Sequence, residues 1–331
     1  MSDLFTKVNI PTPDFNINHQ SGIFLTGSCF SDNIGKKLEQ FKFNVCRNPF
    51  GVVYNPVSIA NGITMLLQKD KFRGKDLSYY NELWFSFAHY TLFSDADPDK
   101  CLDKINIRFI EAKKKLKNTD TLFITLGTSW VYTFKSSGQV VANCHKLPSK
   151  EFERHFSSAG DTYNTMKNCL LNLWKLNPAM QVIFTVSPIR HWKDGAINNQ
   201  RSKSSLITAI SELESEFKSV YYFPVYEIFM DELRDYRFYS SDMLHPSEQA
   251  QEIVWLRFSE TFMNDNTKEL LKDINKINAS LNHIPRHPGT KAYREFLKLQ
   301  KTKITELSQS YPFLSFNDDL IKIDNLLKGL N

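Results

Sequence analysis

Several absences narrow the reading before any motif is considered. No run in the 331 residues approaches the ~18 apolar residues of a membrane span. Met1–Phe15, MSDLFTKVNIPTPDF, has neither a basic n-region nor an apolar h-region, so it does not read as a secretory signal. Cysteine is sparse and odd in number, at Cys29, Cys46, Cys101, Cys144 and Cys169, and no CxxC occurs. That pattern argues against a disulfide framework and for a reducing, cytoplasmic setting. Charge of one sign is also lacking. A net +5 over this length excludes the basic footprint of a nucleic-acid-binding surface. There is no Walker loop and no GxGxxG, hence no nucleotide-phosphate cradle, and no internal repeat. Cys144 and His145 could join His89, His191 or Cys29 around a metal, but adjacent ligands are poor spacing for one ion and no HxxxH supports them. No metal and no cofactor is expected.

What the chain has in quantity is aromatic and apolar residues: 26 Phe, 13 Tyr and an apolar share of 41%. These allow a large core. Short apolar runs, Ile23–Thr26, Phe43–Cys46, Thr121–Leu126, Gln181–Val186 and Val220–Phe223, read as buried strands. Amphipathic stretches separate them. Asn55-Pro56 and Asp97-Pro98 are N-cap-then-proline starts, Asp161 is a cap candidate, and a last helix covers Ser247–Phe262. Uniformly apolar strands alternating with helices predict a parallel sheet covered on both faces. The fold class is therefore α/β, a three-layer, flavodoxin-like arrangement with its site at the carboxyl ends of the strands. Residues 69–95 read as irregular, and Val131–Phe134 as an excursion from the sheet.

The boundary falls near residue 264. Residues 1–264 make the α/β domain and 265–331 a helical extension. There Leu270, Ile274, Ile277 and Leu281 form one stripe. A breaker at Ile284–Pro288 follows, and then a second stripe of Tyr293, Leu297, Ile304 and Leu307. With 11 Lys and Arg against 8 Asp and Glu, the extension is too balanced for a nucleic-acid tail. It is expected to finish the core or to form a homo-oligomer surface.

Two pieces of sequence can carry chemistry. The first is Ile23–Gly35, IFLTGSCFSDNIG, a strand broken by Gly27 and followed by a helix that Ser31 or Asp32 can cap. Ser28 and Cys29 stand at the turn, beside the unpaired N–H groups of a helix N-terminus. A nucleophile there is activated and has donors for an oxyanion at hand. Read as structure only, Cys29 is a small core residue and Ser28 a turn residue. The second piece is Asp242–Pro246, DMLHP, just ahead of the last helix. His245 can act as general base with Asp242 orienting its ring, although a lone DxxH recurs by chance.

Together these pieces resemble the SGNH hydrolases, and more closely the GSCFA-domain family. Here Gly27-Ser28-Cys29-Phe30-Ser31 carries Ser31 where the family name has Ala. Further blocks agree in order: NPFGVVYNP (48–56), LGTSWVY (126–132), VANCHKLP (141–148), SPIRHWKDG (187–195) and YRFYSSDMLHPS (236–247). The resemblance covers about residues 22–262. It implies an SGNH-type fold and an esterase or acyltransferase that uses a Cys/Ser-His-Asp mechanism on a small-molecule ester such as an acylated carbohydrate. Laid on the G-D-S block, Cys29 takes the nucleophile's place, and a one-residue shift gives Ser28. Gly51 takes the place of a backbone oxyanion donor. The G-x-N-D block lacks its Asn and reads Gly127-Thr128-Ser129-Trp130, which leaves Thr128, Ser129 or Asn143 as donors. His145, Arg190 and His191 are candidates for binding substrate. The missing Asn keeps a second function open, a ligand-binding protein on the same fold without turnover.

Overall fold

The computed structural model describes residues 6–283 and 285–329. Its centre is a five-stranded sheet: β1 (Ile23–Gly27), β2 (Val45–Arg47), β5 (Thr121–Leu126), β9 (Gln181–Val186) and β10 (Val220–Tyr222). The spatial order is β10-β9-β5-β1-β2 and every pair is parallel. This is the doubly wound order in which the chain reverses direction across the sheet between β1 and β5. Between these strands run α1 (Cys29–Gln40), α2 (Pro56–Gln68), α3 (Pro98–Lys117), α4 (Ala159–Leu176) and α5 (Gly195–Glu216). After β10 a short turn, α6 (Val225–Glu227), widens into a π-helical turn at Ile228–Glu232. Then come α7 (Glu248–Phe262), α8 (Asp265–Asn282), α9 (Lys291–Ser310) and α10 (Asn317–Lys328).

Strand pleat sorts the core into two faces. Ile23, Leu25, Phe123 and Ile183 point to one side, where they meet Ile34 and Leu38 of α1 and Phe258 and Phe262 of α7. Phe24, Leu122, Ile124, Val182 and Phe184 point to the other, against α2 to α5. The three-layer α/β/α expectation is met, because each strand is apolar on both sides and both sides are covered.

Two caps differ from expectation. Ser28, not Ser31 or Asp32, caps α1: its backbone is already extended at φ −72° and its Oγ accepts the Phe30 N–H. Ser31 thereby falls inside the first turn, buried, with Oγ 2.6 Å from Thr125 Oγ1. Ser158 caps α4 and Asp161 completes a capping box from the third helical position. Asn55 and Asp97 cap α2 and α3 as expected.

Two small antiparallel sheets were not anticipated. One pairs β3 (Ser78–Tyr80) with β4 (Leu83–Phe85) inside the irregular stretch. The other is β7-β6-β8, built from β6 (Trp130–Phe134), β7 (Gln139–Val141) and β8 (Phe152–Phe156). It closes over a cluster of Phe85, Phe87, Val141 and Phe152 beyond the carboxyl end of β5.

The stripe residues Leu270, Ile274, Ile277, Leu281, Leu297 and Ile304 are buried in the same cluster as α1 and α7, and Tyr293 and Leu307 pack against it partly buried. Asn278 Nδ2 donates to the Gln40 carbonyl at 3.0 Å, and Lys42 pairs with Asp319 at 2.5 Å. The extension therefore docks on the C-terminal end of α1. Ile284, the first residue of the predicted breaker, lies outside the described residues, as do residues 1–5. Among the described residues no helix is long and apolar enough to cross a membrane.

Candidate active site

Gly27 ends β1 with φ +132°, and a Cβ there would stand 2.2 Å from the Thr125 carbonyl oxygen. Only glycine permits β1 to lie this close to β5 and still turn into α1. The Gly27 N–H donates to Asn48 Oδ1 at 3.0 Å, and the Ser28 N–H to the Thr125 carbonyl at 3.1 Å. The turn is thus held from both neighbouring strands.

Of its two candidate nucleophiles, Ser28 is only 1% exposed and caps its own helix. Cys29 is half-buried and opens on a cleft of about 620 Å³. Its Sγ lies 3.7 Å from the hydroxyl of Tyr54. Burial, then the charge of Cys29 and the hydrogen bond to it, hold the Tyr54 phenol well above its ordinary range. Tyr54 therefore keeps its proton and is the donor towards a thiolate. Asn48 and Tyr54 line the cleft together with Cys29, and Val52, Leu92, Phe93 and Ile107 give it apolar surface.

Asp242 and His245 are brought together. Asp242 Oδ2 stands 2.5 Å from His245 Nδ1, and Oδ1 accepts the N–H groups of Leu244 and His245 at 2.9 Å. The His245 N–H first, then the Leu244 N–H and the ring, pull Asp242 down to about 2. An ionised Asp242 requires Nδ1 to carry a proton, so that in the neutral form of the ring Nε2 is the acceptor. The ring is half exposed. His245 does not line the Cys29 cleft, and among the described residues no hydrogen bond joins it to Cys29 or Ser28. The neighbours of the two candidates do meet: Phe30, next to Cys29, and Pro246, next to His245, line one narrow apolar hollow.

The remaining sequence candidates have other partners. The Gly51 N–H donates to the Asn48 carbonyl at 2.8 Å. Thr128 and Ser129 bind Ser202 of α5, with the Ser129 N–H donating to Ser202 Oγ at 2.7 Å and Ser129 Oγ to the Ser202 carbonyl at 2.9 Å. Asn143 joins Thr91 and the His145 N–H. His145 is buried, stacked on Phe85 with Nε2 3.0 Å from the Ser86 carbonyl, and burial lowers its pKa. Arg190 reaches Met230 Sδ at 3.5 Å. The His191 ring is kept neutral, with burial as the main cause bringing it down to about 4, and it stands edge-on to Tyr54 with centroids 5.4 Å apart.

Three residues of this region were not singled out from the sequence: Tyr54, Asn48 and Lys203. Tyr54 separates the Cys29 cleft from a second one of about 400 Å³, where Trp130, Tyr132, Asn143, Arg154 and His191 meet. Lys203 is wholly buried and donates to the carbonyls of Gly127 and Ser187, both at 2.6 Å, at the ends of β5 and β9. The NPFGVVYNP block held the only signal for Asn48 and Tyr54. Nothing in a mid-helix lysine marks it for burial.

The family model described as GSCFA family matches residues 22–258. The chain belongs to the GSCFA family. A second model, the GSCFA domain protein C-terminal domain, matches residues 274–329. Comparison with curated proteins finds no match. In this GSCFA protein the family match spans the β1–α1 turn, both clefts and the Asp242–His245 loop. Among the described residues no group of three or more His, Cys, Asp or Glu is arranged to hold a metal ion.

Proposed function

We propose that this protein transfers acyl groups from small-molecule esters, with Cys29 as nucleophile in an SGNH-like mechanism. The observation that carries the reading is Cys29 itself: a thiol in the first turn of α1, facing an open cleft with the Tyr54 hydroxyl 3.7 Å away. The Tyr54 hydroxyl, which keeps its proton, is a hydrogen-bond donor facing the sulfur. The apolar wall of Leu92, Phe93 and Ile107 suits an acyl chain. The cleft beyond Tyr54, with Trp130, Tyr132 and several polar groups, suits a hydroxyl-rich alcohol such as a sugar.

His245 serves as general base through Nε2 while Asp242 holds Nδ1. On this reading the His245 ring, which stands outside the cleft, moves to the sulfur when substrate binds. The proton taken from the thiol returns to the leaving alcohol. A p-nitrophenyl ester of a short acid is the test substrate, with turnover and a Cys29 acyl adduct both read. Turnover is expected to vanish in Cys29→Ala and His245→Ala and to persist in Ser28→Ala. Undiminished turnover in His245→Ala rejects the mechanism.

One observation favours a second reading, ligand binding without turnover: His245 stands outside the cleft that holds Cys29. On that reading the same esters bind, by calorimetry, with equal affinity in wild type and His245→Ala and are never cleaved by either.

A further inference from the structure

We infer that the Asn48 side-chain amide is the oxyanion donor of the Cys29 cleft, in place of the Asn that the 126–132 block lacks. The inference rests on Cys29 being the acyl-accepting nucleophile. Asn48 is 5% exposed, lines the cleft on which Cys29 opens, and binds Gly27, two residues before Cys29. It is pinned at three points. Its N–H donates to the Leu25 carbonyl at 2.9 Å, and its carbonyl accepts the Gly51 N–H at 2.8 Å. Its Oδ1 accepts the Gly27 N–H at 3.0 Å. The last bond decides which way the amide faces, because a backbone N–H can be met only by the oxygen. The remaining group, Nδ2, is buried and has no hydrogen-bond partner.

Buried amide donors without an acceptor are rare, and one beside a nucleophile calls for an occupant. The occupant must supply an acceptor. A neutral or anionic carbonyl oxygen does so; a metal cation or an alkyl group does not. Preorganisation is also present: the residue has a left-handed backbone at φ +39°, and turning its amide over would take away the acceptor that the Gly27 N–H has here. Neighbouring donors of the expected kind have partners already, since Gly51, Thr128 and Ser129 all bind within the fold. The Cys29 N–H, at the first position of α1, has no carbonyl one turn back to meet it and supplies the second donor.

The step is then as follows. The Cys29 sulfur forms a bond to the ester carbonyl carbon, and the C=O π pair moves onto oxygen. The Cys29 N–H and Asn48 Nδ2 hold that oxyanion. The pair returns, the C–O bond to the alcohol breaks, and the alcohol leaves with the proton drawn from the thiol. A thioester on Cys29 remains.

The test sets acylation, which needs an oxyanion hole, against alkylation, which does not. Full-length wild type and Asn48→Ser are treated with p-nitrophenyl butyrate or with iodoacetamide, and modification of Cys29 is followed by mass spectrometry. Asn48→Ser is expected to slow acylation roughly 10²–10³-fold while alkylation keeps its wild-type rate. Equal acylation rates in the two proteins overturn the inference and leave Cys29 as nucleophile. Acylation and alkylation falling in parallel also overturn it, since Asn48 then only holds the turn. A wild type that alkylates but never acylates overturns the nucleophile reading and this one with it. Should the variant not fold, wild type answers alone. In the adduct of Cys29 with butyraldehyde, the Asn48 Nδ2 protons must shift downfield by NMR, and unmoved protons reject the assignment.

Discussion

Lys203 shows how far one residue can depart from what its type suggests. It is wholly buried in α5, and among the described residues no carboxylate forms an ion pair with it. Desolvation, with a contribution from the Arg190 charge, lowers its pKa to about 7. A neutral amine still has two N–H bonds, enough for the carbonyls of Gly127 and Ser187. The unfolded chain holds the proton up to an ordinary lysine value of about 10.4. Between about pH 7 and pH 10 the unfolded state therefore binds more protons, and stability rises with pH across that window. The predicted slope is at most about 1.4 kcal/mol per pH unit. Urea unfolding at pH 7, 8.5 and 10 should show wild type gaining stability relative to Lys203→Met at each step. A constant difference between the two proteins would contradict the buried neutral amine. Lys203 also ties α5 to the strand end whose Gly127 N–H holds the Tyr54 carbonyl at 2.7 Å, so the residue beneath the site and the residue facing Cys29 share one hydrogen-bond chain.

The element that organises the site is the β1–α1 turn. Its shape depends on Gly27, whose missing Cβ lets β1 and β5 approach and whose positive φ redirects the chain. Gly27→Ala sets a methyl 2.2 Å from the Thr125 oxygen and imposes a disfavoured φ. Both effects act in a packed interior, where backbone strain of this kind costs on the order of 1–3 kcal/mol before the clash is counted. The expected result is a thermal midpoint lowered by ten degrees or so, about 2–4 °C per kcal/mol for a large domain, together with altered Cys29 alkylation. An unchanged midpoint and labelling rate would show that the turn has slack, and the preorganised cradle argued for Asn48 would lose its basis.

At the scale of the whole molecule the C-terminal helices complete a core. Ile274 and Ile277 of α8, Leu297 and Ile304 of α9 and Ile323 of α10 are buried in one cluster with Leu38, Phe41 and Phe43. The stripes that the sequence offers either to the core or to a second copy face inward here. Each such side chain contributes about 1.5–3 kcal/mol by burial, so the loss of these five together is comparable to the net stability of an ordinary domain. A chain truncated after Asn264 is expected to lose cooperative unfolding by calorimetry and to bind hydrophobic dyes. A truncated protein that melts cooperatively at the full-length temperature would make the extension an independent unit.

By itself the sequence determined the periodic parts of this protein. Mostly apolar runs such as Thr121–Leu126 and Gln181–Val186 coincide with strands residue for residue, because nearly every position in them is buried on one face or the other. Cap-then-proline pairs marked α2 and α3, because that chemistry is local. The hydrogen-bonded pair of Asp242 and His245 was legible for the same reason, three residues apart on one loop. The α10 helix was not, since it buries Ile323 alone among its side chains and so shows no stripe. Only the tertiary structure decided which nucleophile faces a cleft and which caps a helix, since Ser28 and Cys29 are adjacent and the choice depends on where Gly27 turns. Only it brought Tyr54 to Cys29, left the Asn48 amide unmatched, and sank Lys203 beneath the strand ends. Those are contacts between residues 16 to 76 positions apart. Local pattern cannot encode such contacts, because they are set by how closely neighbouring strands approach and by which polar groups are left over once the sheet and caps are satisfied.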